Sequence, residues 1–191
     1  ETILTKSNLK IGDALILTRP LGSGTLLAAD MRHQARHEWI DALMQSMLSS
    51  NRKASEISVT HAAHACTDIT GFGLLGHLLE MLADNDMGAT LFLEQIPTFA
   101  GTLTTLGRGI VSSLHTDNQL NAARISNQTE FQNHDLFPVL FDPQTAGGLL
   151  ISIPRSRAED CLKMLLATGH DQAAMVGEIT ETEQAGTVTL S

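Results

Sequence analysis

The sequence predicts one domain in which α-helices and β-strands share an aliphatic core. Its 191 residues are enough for a single sizeable domain. Hydrophobic residues make up 42% of the chain and aromatic residues only 4%, so aliphatic side chains must fill most of the core. Several short apolar runs end in polar or glycine-rich turns and give way to helical repeats. We therefore expect strands that lead through tight turns into helices.

The most informative stretch is 65–81, which reads ACTDITGFGLLGHLLEM. It predicts a strand, a tight turn and the start of a helix, because leucines recur at helical spacing after the glycines. The first amides of a helix lack partners within it and attract anions such as phosphate. Asp68 would repel a bare phosphate, so a divalent cation between the two is the functional interpretation. The alternative is that Asp68 or Thr70 simply caps the helix.

The same turn contains Gly71. We expect this position to need either a positive φ or the close approach of a ligand, since glycine tolerates both.

The N-terminal part predicts one strand and three helices. The strand covers 14–17, and the helices cover 26–31, 37–48 and 53–65. Between the strand and the first helix lies LGSGT, where Gly22 and Gly24 form a second candidate anion-facing turn. A Gly-x-Gly pattern also serves ordinary tight turns, so both interpretations stay open.

The remainder predicts a strand at 89–93, a looser region at 94–109 and a polar stretch at 110–133, which is either a surface loop or a lid that lines a site. The turn at 142–145 is followed by Gly147 and Gly148, and paired glycines before a buried strand indicate close approach of backbone. A strand at 149–153, a helix at 155–167 and strands at 175–180 and 187–190 complete the prediction.

Charge and composition exclude several function classes. The formal net charge of −9 disfavours binding to nucleic acid, which needs a basic face. No apolar run is long enough to cross a membrane, and no basic-then-apolar leader opens the chain. Two cysteines, with no metal-type spacing, fit a cytoplasmic location, and we expect Cys66 to be a buried small residue. The chain begins at Glu1, so we expect it to be a piece of a longer protein.

Three stretches together resemble the C-terminal half of the selenophosphate synthetases (selenide, water dikinases). They are GDALILTRPLGSGTLLAADM, ACTDITGFGLLGHLLEM and LFDPQTAGGLLISIP, and they occur in the family's order over nearly the whole chain. The family belongs to a wider group with aminoimidazole ribonucleotide synthetase, thiamine monophosphate kinase and a hydrogenase maturation factor. The resemblance implies an α+β sandwich: a mixed, largely antiparallel sheet flanked by helices, like the C-terminal domain of aminoimidazole ribonucleotide synthetase.

The resemblance also implies a site. The family reaction converts ATP, selenide and water into selenophosphate, AMP and phosphate, with Mg²⁺ on the phosphates. Asp68 matches the magnesium ligand of this domain, and the nucleotide would lie near the turn that follows it. The residues expected around the nucleotide are Thr67, Thr70, Gly71, Phe72, Gly73 and Asn118.

The chain lacks the family's glycine-rich N-terminal segment, with its catalytic Cys or selenocysteine and its lysine. We therefore expect residues 1–191 to be a single C-terminal domain without catalytic residues of its own, inactive alone. It would meet ATP and selenide through the absent N-terminal domain, in a homodimeric parent. The stretch GIVSSLHTDNQ replaces the family's GGT-x-R-N, with Asn118 at the asparagine position, and resembles forms fused to a flavin-type oxidoreductase. The rival hypotheses are a sister ATP-using enzyme, which TDITGFG disfavours, and a non-catalytic binding or dimerisation module.

Overall fold

The computed structural model describes residues 4–83 and 86–191, and its centre is a six-stranded mixed sheet. The strand order is β2-β4-β1-β5-β3-β6. All neighbouring strands pair antiparallel except β3 and β6, which are parallel. The strands are β1 (Asp13–Leu17), β2 (Ala65–Asp68), β3 (Gly88–Leu91), β4 (Leu149–Pro154), β5 (Ala174–Thr180) and β6 (Val188–Leu190).

Helices cover both faces of this sheet. The α-helices are α1 (Ser23–Met31), α2 (His37–Leu48), α3 (Arg52–Thr60), α4 (Gly73–Leu82), α5 (Thr102–Leu106), α6 (His115–Gln119), α7 (Gln128–Phe131) and α8 (Arg155–Ala167). Short 3-10 helices cover Leu93–Gln95, Leu120–Arg124 and Phe137–Phe141. The predicted α+β sandwich with a mixed, largely antiparallel sheet is confirmed.

The core has two layers, one on each face of the sheet, because successive side chains of a strand point to opposite faces. Leu15 and Leu17 of β1 pack in one layer with the apolar side of α4 and the 137–141 segment. Ala14 and Ile16 pack in the other layer with α3 and α8. The continuous apolar run of β1 therefore reflects burial on both faces.

The sheet brings the informative segments together at one end. Asp68, the last residue of β2, pairs with Leu149 at the start of β4, and Leu17, the last residue of β1, pairs with Leu150. Arg19 follows β1 and is only 5% exposed. Its guanidinium donates hydrogen bonds to the carbonyl oxygens of Ala146, at 2.9 Å, and Ser49, at 2.6 Å. The segments after β1 and before β4 are thus fastened to each other.

The paired glycines before β4 make the predicted close approach. A Cβ on Gly147 would overlap the carbonyl oxygen of Ile69, and a Cβ on Gly148 would lie 2.8 Å from the backbone nitrogen of Arg19. Only glycine fits such contacts without moving backbone.

The N-terminus of α1 is capped by side chains from the 142–145 turn. Gly24 N–H donates to the carboxylate of Asp142 at 3.1 Å, and the Thr25 hydroxyl donates to it at 2.7 Å. Gln144 Oε1 accepts from the backbone N–H groups of Gly22 and Ser23, at 3.1 and 3.2 Å. A carboxylate of the chain itself therefore takes the position where a helix end would attract an external anion.

Several predicted boundaries were wrong. The helix predicted over 53–65 ends at Thr60, because Ala62 has a left-handed φ of 58° and Ala65 already belongs to β2. The strand predicted at 89–93 ends at Leu91, where the chain turns into the 3-10 segment. The polar stretch 110–133 is not a plain loop, since it contains α6, α7 and a 3-10 helix anchored by the buried residues Ala122 and Ile125.

Within residues 4–83 and 86–191, every helix is too short or too polar to span a lipid bilayer.

Replacing Gly147 with alanine should destabilise the fold. The added Cβ overlaps the Ile69 carbonyl, and we expect a loss of about 1–3 kcal/mol in the free energy of unfolding, as is usual for overpacking. Gly71→Ala is the matched control, because a Cβ there meets only the Leu114 side chain at 3.9 Å. Urea denaturation of both variants checks this, and equal losses would contradict it.

Burial of Asp142 should make stability depend on pH. Burial raises the pKa of Asp142 from 3.8 to about 6, although hydrogen bonds from Thr25, Gln144 and Gly24 act in the opposite direction. Between these values the folded state binds the proton more tightly than the unfolded state does. This contribution to stability therefore falls as pH rises through that range, by up to about 3 kcal/mol.

Asp142→Asn removes the titration. Its stability relative to the wild type should accordingly improve between pH 4.5 and pH 7, measured by urea denaturation. Asp30→Asn, an exposed carboxylate at the end of α1, should show no such change. A constant difference between Asp142→Asn and the wild type across this range would refute the assignment.

Candidate functional site

Asp68 lies at the mouth of a large surface cleft. Its side chain is exposed at the end of the edge strand β2, and it has no hydrogen bond or ion pair to any residue that the structure describes. The cleft has a volume of about 720 Å³ and is lined by residues of the N-terminal segment, the start of α3, β2 and Leu149. An unpaired carboxylate on an open cleft is available to a ligand.

Asn51 also lines this cleft. Its Nδ2 donates to the carbonyl oxygen of Gly147 at 2.9 Å, which fixes the orientation of the amide. Its Oδ1 is buried and has no partner among residues 4–83 and 86–191. A buried acceptor without a donor or cation is costly, so this atom is suited to a cation or a water.

Carboxylate and amide oxygens are the ligands of hard divalent cations. Among the described residues, no group of three or more His, Cys, Asp or Glu side chains could hold a metal ion. The cleft therefore offers a partial ligand set, which suits a cation that keeps most of its ligands from water or phosphate.

Two basic side chains line the cleft beside Asp68. Lys6 lies 3.5 Å from a carboxylate oxygen of Glu80, and Arg52 Nε lies 2.9 Å from one of Glu56. Both pairs are solvent-exposed, and such pairs are weak enough to rearrange around an anion. One carboxylate and two basic side chains together suit a ligand that carries both a metal cation and phosphate groups. They suit a metal cation alone, or a phosphate group alone, less well.

The remaining residues of β2 line this cleft as well. Thr67 is half-buried in the cleft wall. Burial, with the negative charge of Asp68 as a smaller cause, raises the pKa of Cys66 to about 12. Cys66 is therefore a thiol near neutral pH and a poor nucleophile. It is only partly buried, because it lines the cleft, whereas the sequence predicted a buried residue.

The interpretation that Asp68 or Thr70 caps α4 is wrong. The residue at the N-cap is Phe72, and no side chain caps this helix. The Thr70 hydroxyl is instead hydrogen-bonded to His77 Nε2 at 3.0 Å, and the Thr70 carbonyl accepts from Gly73 N–H and Gln144 N–H.

Gly71 does not have the positive φ that was one of the two alternatives expected for it, and the close approach of a ligand there stays a prediction. The positive φ of 70° belongs to Gly73, where a Cβ would press against the backbone of residues 140–142. At Gly71 a Cβ would have open space, so this position is free for a ligand to approach.

Asn118 lies next to this turn and joins it to the 137–141 segment. Its Nδ2 donates to the carbonyl oxygens of Gly71, at 2.8 Å, and Phe141, at 3.0 Å. Both amide hydrogens are thereby used within the protein, and the side chain is only 6% exposed. Asn118 holds the turn in place.

A second cleft is lined in part by Gly71. It has a volume of about 560 Å³ and is lined also by α1, Val111–Leu114 and the 143–145 turn. Phe72, the residue after Gly71, is 55% exposed. The structure does not bring all the residues predicted around the nucleotide to one surface: Thr67 lines the first cleft and Gly71 the second, Thr70 is half-buried, and Gly73 and Asn118 are buried.

Reasoning from the sequence missed Asn51, Lys6, Arg52, His77 and Glu80. Asn51, Lys6 and Arg52 belong to no spacing pattern that indicates a ligand, since they lie outside the central motif and approach it only through the fold. His77 and Glu80 are an i,i+3 pair on α4 that faces Thr70, and that helical spacing was available in the sequence.

Comparison with known proteins identifies the family. Residues 10–189 match the family model for the C-terminal domain of AIR synthase related proteins. The chain is 37% identical over 181 residues to a selenide, water dikinase of Pelobacter propionicus, covering 95% of this chain and 52% of that protein. It is 39% identical over 184 residues to the one of Myxococcus xanthus, covering 94% and 51%. The chain thus spans about half the length of these relatives.

Solved structures share the fold at low sequence identity. Hydrogenase maturation protein HypE in complex with ATP superposes with a TM-score of 0.71 at 16% identity, covering 98% of this chain and 49% of that one. Thiamine monophosphate kinase from Aquifex aeolicus gives a TM-score of 0.61 at 15% identity, covering 100% and 54%. With a family model matched over nearly its whole length and the same fold in both neighbours, this chain belongs to the AIR synthase related proteins, as their C-terminal domain.

Proposed function

We propose that this chain is the C-terminal domain of a selenide, water dikinase, which makes selenophosphate, AMP and phosphate from ATP, selenide and water. The observation that carries the proposal is the unpaired Asp68 carboxylate on an open cleft with two basic residues. The names of the relatives at 37% and 39% identity supply the reaction. The proposal that selenide, rather than another acceptor, is the substrate rests on those names.

The cation in this proposal is Mg²⁺, and the residues present fit it. Asp68 supplies a carboxylate oxygen, and Asn51 supplies a buried amide oxygen that lacks a partner among the described residues. When bound, Mg²⁺ neutralises the charge of the nucleotide phosphates. The protein's own contribution is to hold the Asn51 amide in a fixed orientation, through its hydrogen bond to Gly147.

The phosphates would lie beside the backbone of Gly71 and Phe72. Gly71 and Phe72 precede a helix without a side-chain cap, so their backbone N–H groups are open to an anion. Lys6 and Arg52 add positive charge from the other side of the cleft. Asn118 acts through the turn, by holding Gly71 against the 137–141 segment, and it needs no contact with the nucleotide to do so.

The rest of the site would come from an N-terminal domain of a longer parent. The relatives are about twice as long as the part they share with this chain. We expect that domain to carry the catalytic Cys or selenocysteine and the lysine, and we expect a cytoplasmic homodimer. Residues 1–191 alone should bind weakly and not turn over. A fusion of the parent to a flavin-type oxidoreductase is part of the same proposal.

Asp68→Asn in the full-length parent should abolish most of the activity while the fold survives. The substitution removes one charged metal ligand, and a loss of several kcal/mol of transition-state stabilisation corresponds to a roughly 100-fold or greater fall in kcat/KM. The measurement is selenide-dependent AMP formation. Asp160→Asn, which removes an exposed carboxylate in α8, is the matched control and should resemble the wild type.

Three other outcomes would count against the proposal. Near-normal activity of Asp68→Asn would show that Asp68 is not an essential metal ligand. ATP consumption that ignores selenide would assign the parent to a sister enzyme of the same fold. No ATP use by the wild-type parent would favour a binding or dimerisation module.

A further inference from the structure

Three side chains form a hydrogen-bonded line that ends at the turn after β2. Glu80 Oε2 lies 3.0 Å from His77 Nδ1, and His77 Nε2 lies 3.0 Å from Thr70 Oγ1. His77 is 6% exposed, and the ring of Phe72 packs against it at a centroid distance of 5.4 Å. Lys6 lies 3.5 Å from the same oxygen of Glu80. The ring therefore has a fixed position and a polar partner at each nitrogen.

The chemistry of the partners decides where the hydrogens lie. An ionised carboxylate only accepts, so the bond to Glu80 places a hydrogen on Nδ1 of His77. In a neutral imidazole, Nε2 then carries a lone pair and must accept a hydrogen bond. Thr70 is the only group bonded there among the described residues, so its hydroxyl donates to His77. The single hydrogen of that hydroxyl is thereby directed into the protein.

We propose that Glu80 and His77 are positioning residues that turn Thr70 into a pure acceptor. With its hydrogen committed to His77, Thr70 Oγ1 offers only lone pairs to a ligand. Such an oxygen repels phosphate oxygens. It can accept a hydrogen bond from a water molecule bound to a cation, or it can bind the cation itself. Thr70 thus serves the cation rather than the phosphate, two residues from Asp68. The inference rests on the proposed function, in which this turn faces a magnesium nucleotide.

The first test locates the hydrogen directly. In the full-length protein labelled with ¹⁵N-histidine, with His77 assigned by its loss in His77→Gln, the ring nitrogens should show a protonated Nδ1 and an unprotonated Nε2. Glu80→Ala removes the acceptor and should move the hydrogen to Nε2. Glu94→Ala, which removes the partner of His134 at 2.7 Å, should leave the His77 signals unchanged. A protonated Nε2 in the wild type would overturn the proposal.

The second test asks what Thr70 serves. Glu80→Ala and Thr70→Val should each raise the Mg²⁺ concentration for half-maximal activity by about fivefold, the effect of one hydrogen bond. The KM for ATP at saturating Mg²⁺ should change less than twofold. Thr70→Ser keeps the hydroxyl and should restore the wild-type Mg²⁺ dependence, and Glu94→Ala should retain it.

The outcomes separate this inference from the proposed function. A rise in the KM for ATP with an unchanged Mg²⁺ dependence would mean that Thr70 serves phosphate, which overturns the inference and leaves the result for Asp68→Asn intact. Near-normal activity of Asp68→Asn would instead defeat the proposed function, and the ¹⁵N measurement would still decide the position of the hydrogen.

Discussion

The arrangement of the candidate site depends on the turn at 142–145, which makes contacts in three directions. Asp142 and Gln144 cap α1, and the Gln144 amide nitrogen also donates to Asp142, so the two side chains hold each other. The backbone N–H of Gln144 donates to the carbonyl of Thr70 at 2.9 Å. The start of β4 follows directly, with Gly147 against Ile69. One short polar segment therefore fixes the turn after β2 relative to α1 and to the sheet.

Much of the fold followed from local patterns. Strands β1, β2 and β4 and helices α2, α4 and α8 have the predicted type, because each is apolar on the face or faces that it buries. The largely antiparallel pairing was expected only through the family resemblance, and the strand order was not predicted, since it depends on contacts between distant segments. The predicted end of a helix was wrong where one residue takes an unusual backbone conformation. Ala62, with its positive φ, carries no sign in the sequence that a helix ends before it.

The sequence singled out only the central part of the candidate site. The run from Thr67 to Gly73 is contiguous, so one motif was enough to propose it, and its contact with nucleotide stays a prediction. Asn51 and Lys6 reach the same cleft through the fold, and their residue types are too common to indicate a ligand. The anion-facing turn at Gly22 and Gly24 had the right glycines and the right helix, yet Asp142, more than a hundred residues later, occupies it. A local pattern can indicate that a helix end needs an anion, but it cannot indicate whether a ligand or a distant side chain of the same protein provides that anion.

The capping of α1 has a consequence for ligand binding at this helix end. The carboxylate of Asp142 belongs to the same chain and is held at the helix end by the fold, so an external anion has to displace it before it can bind there. A glycine-rich turn that resembles an anion site is in this way already filled, and its function is to join α1 to the segment before β4.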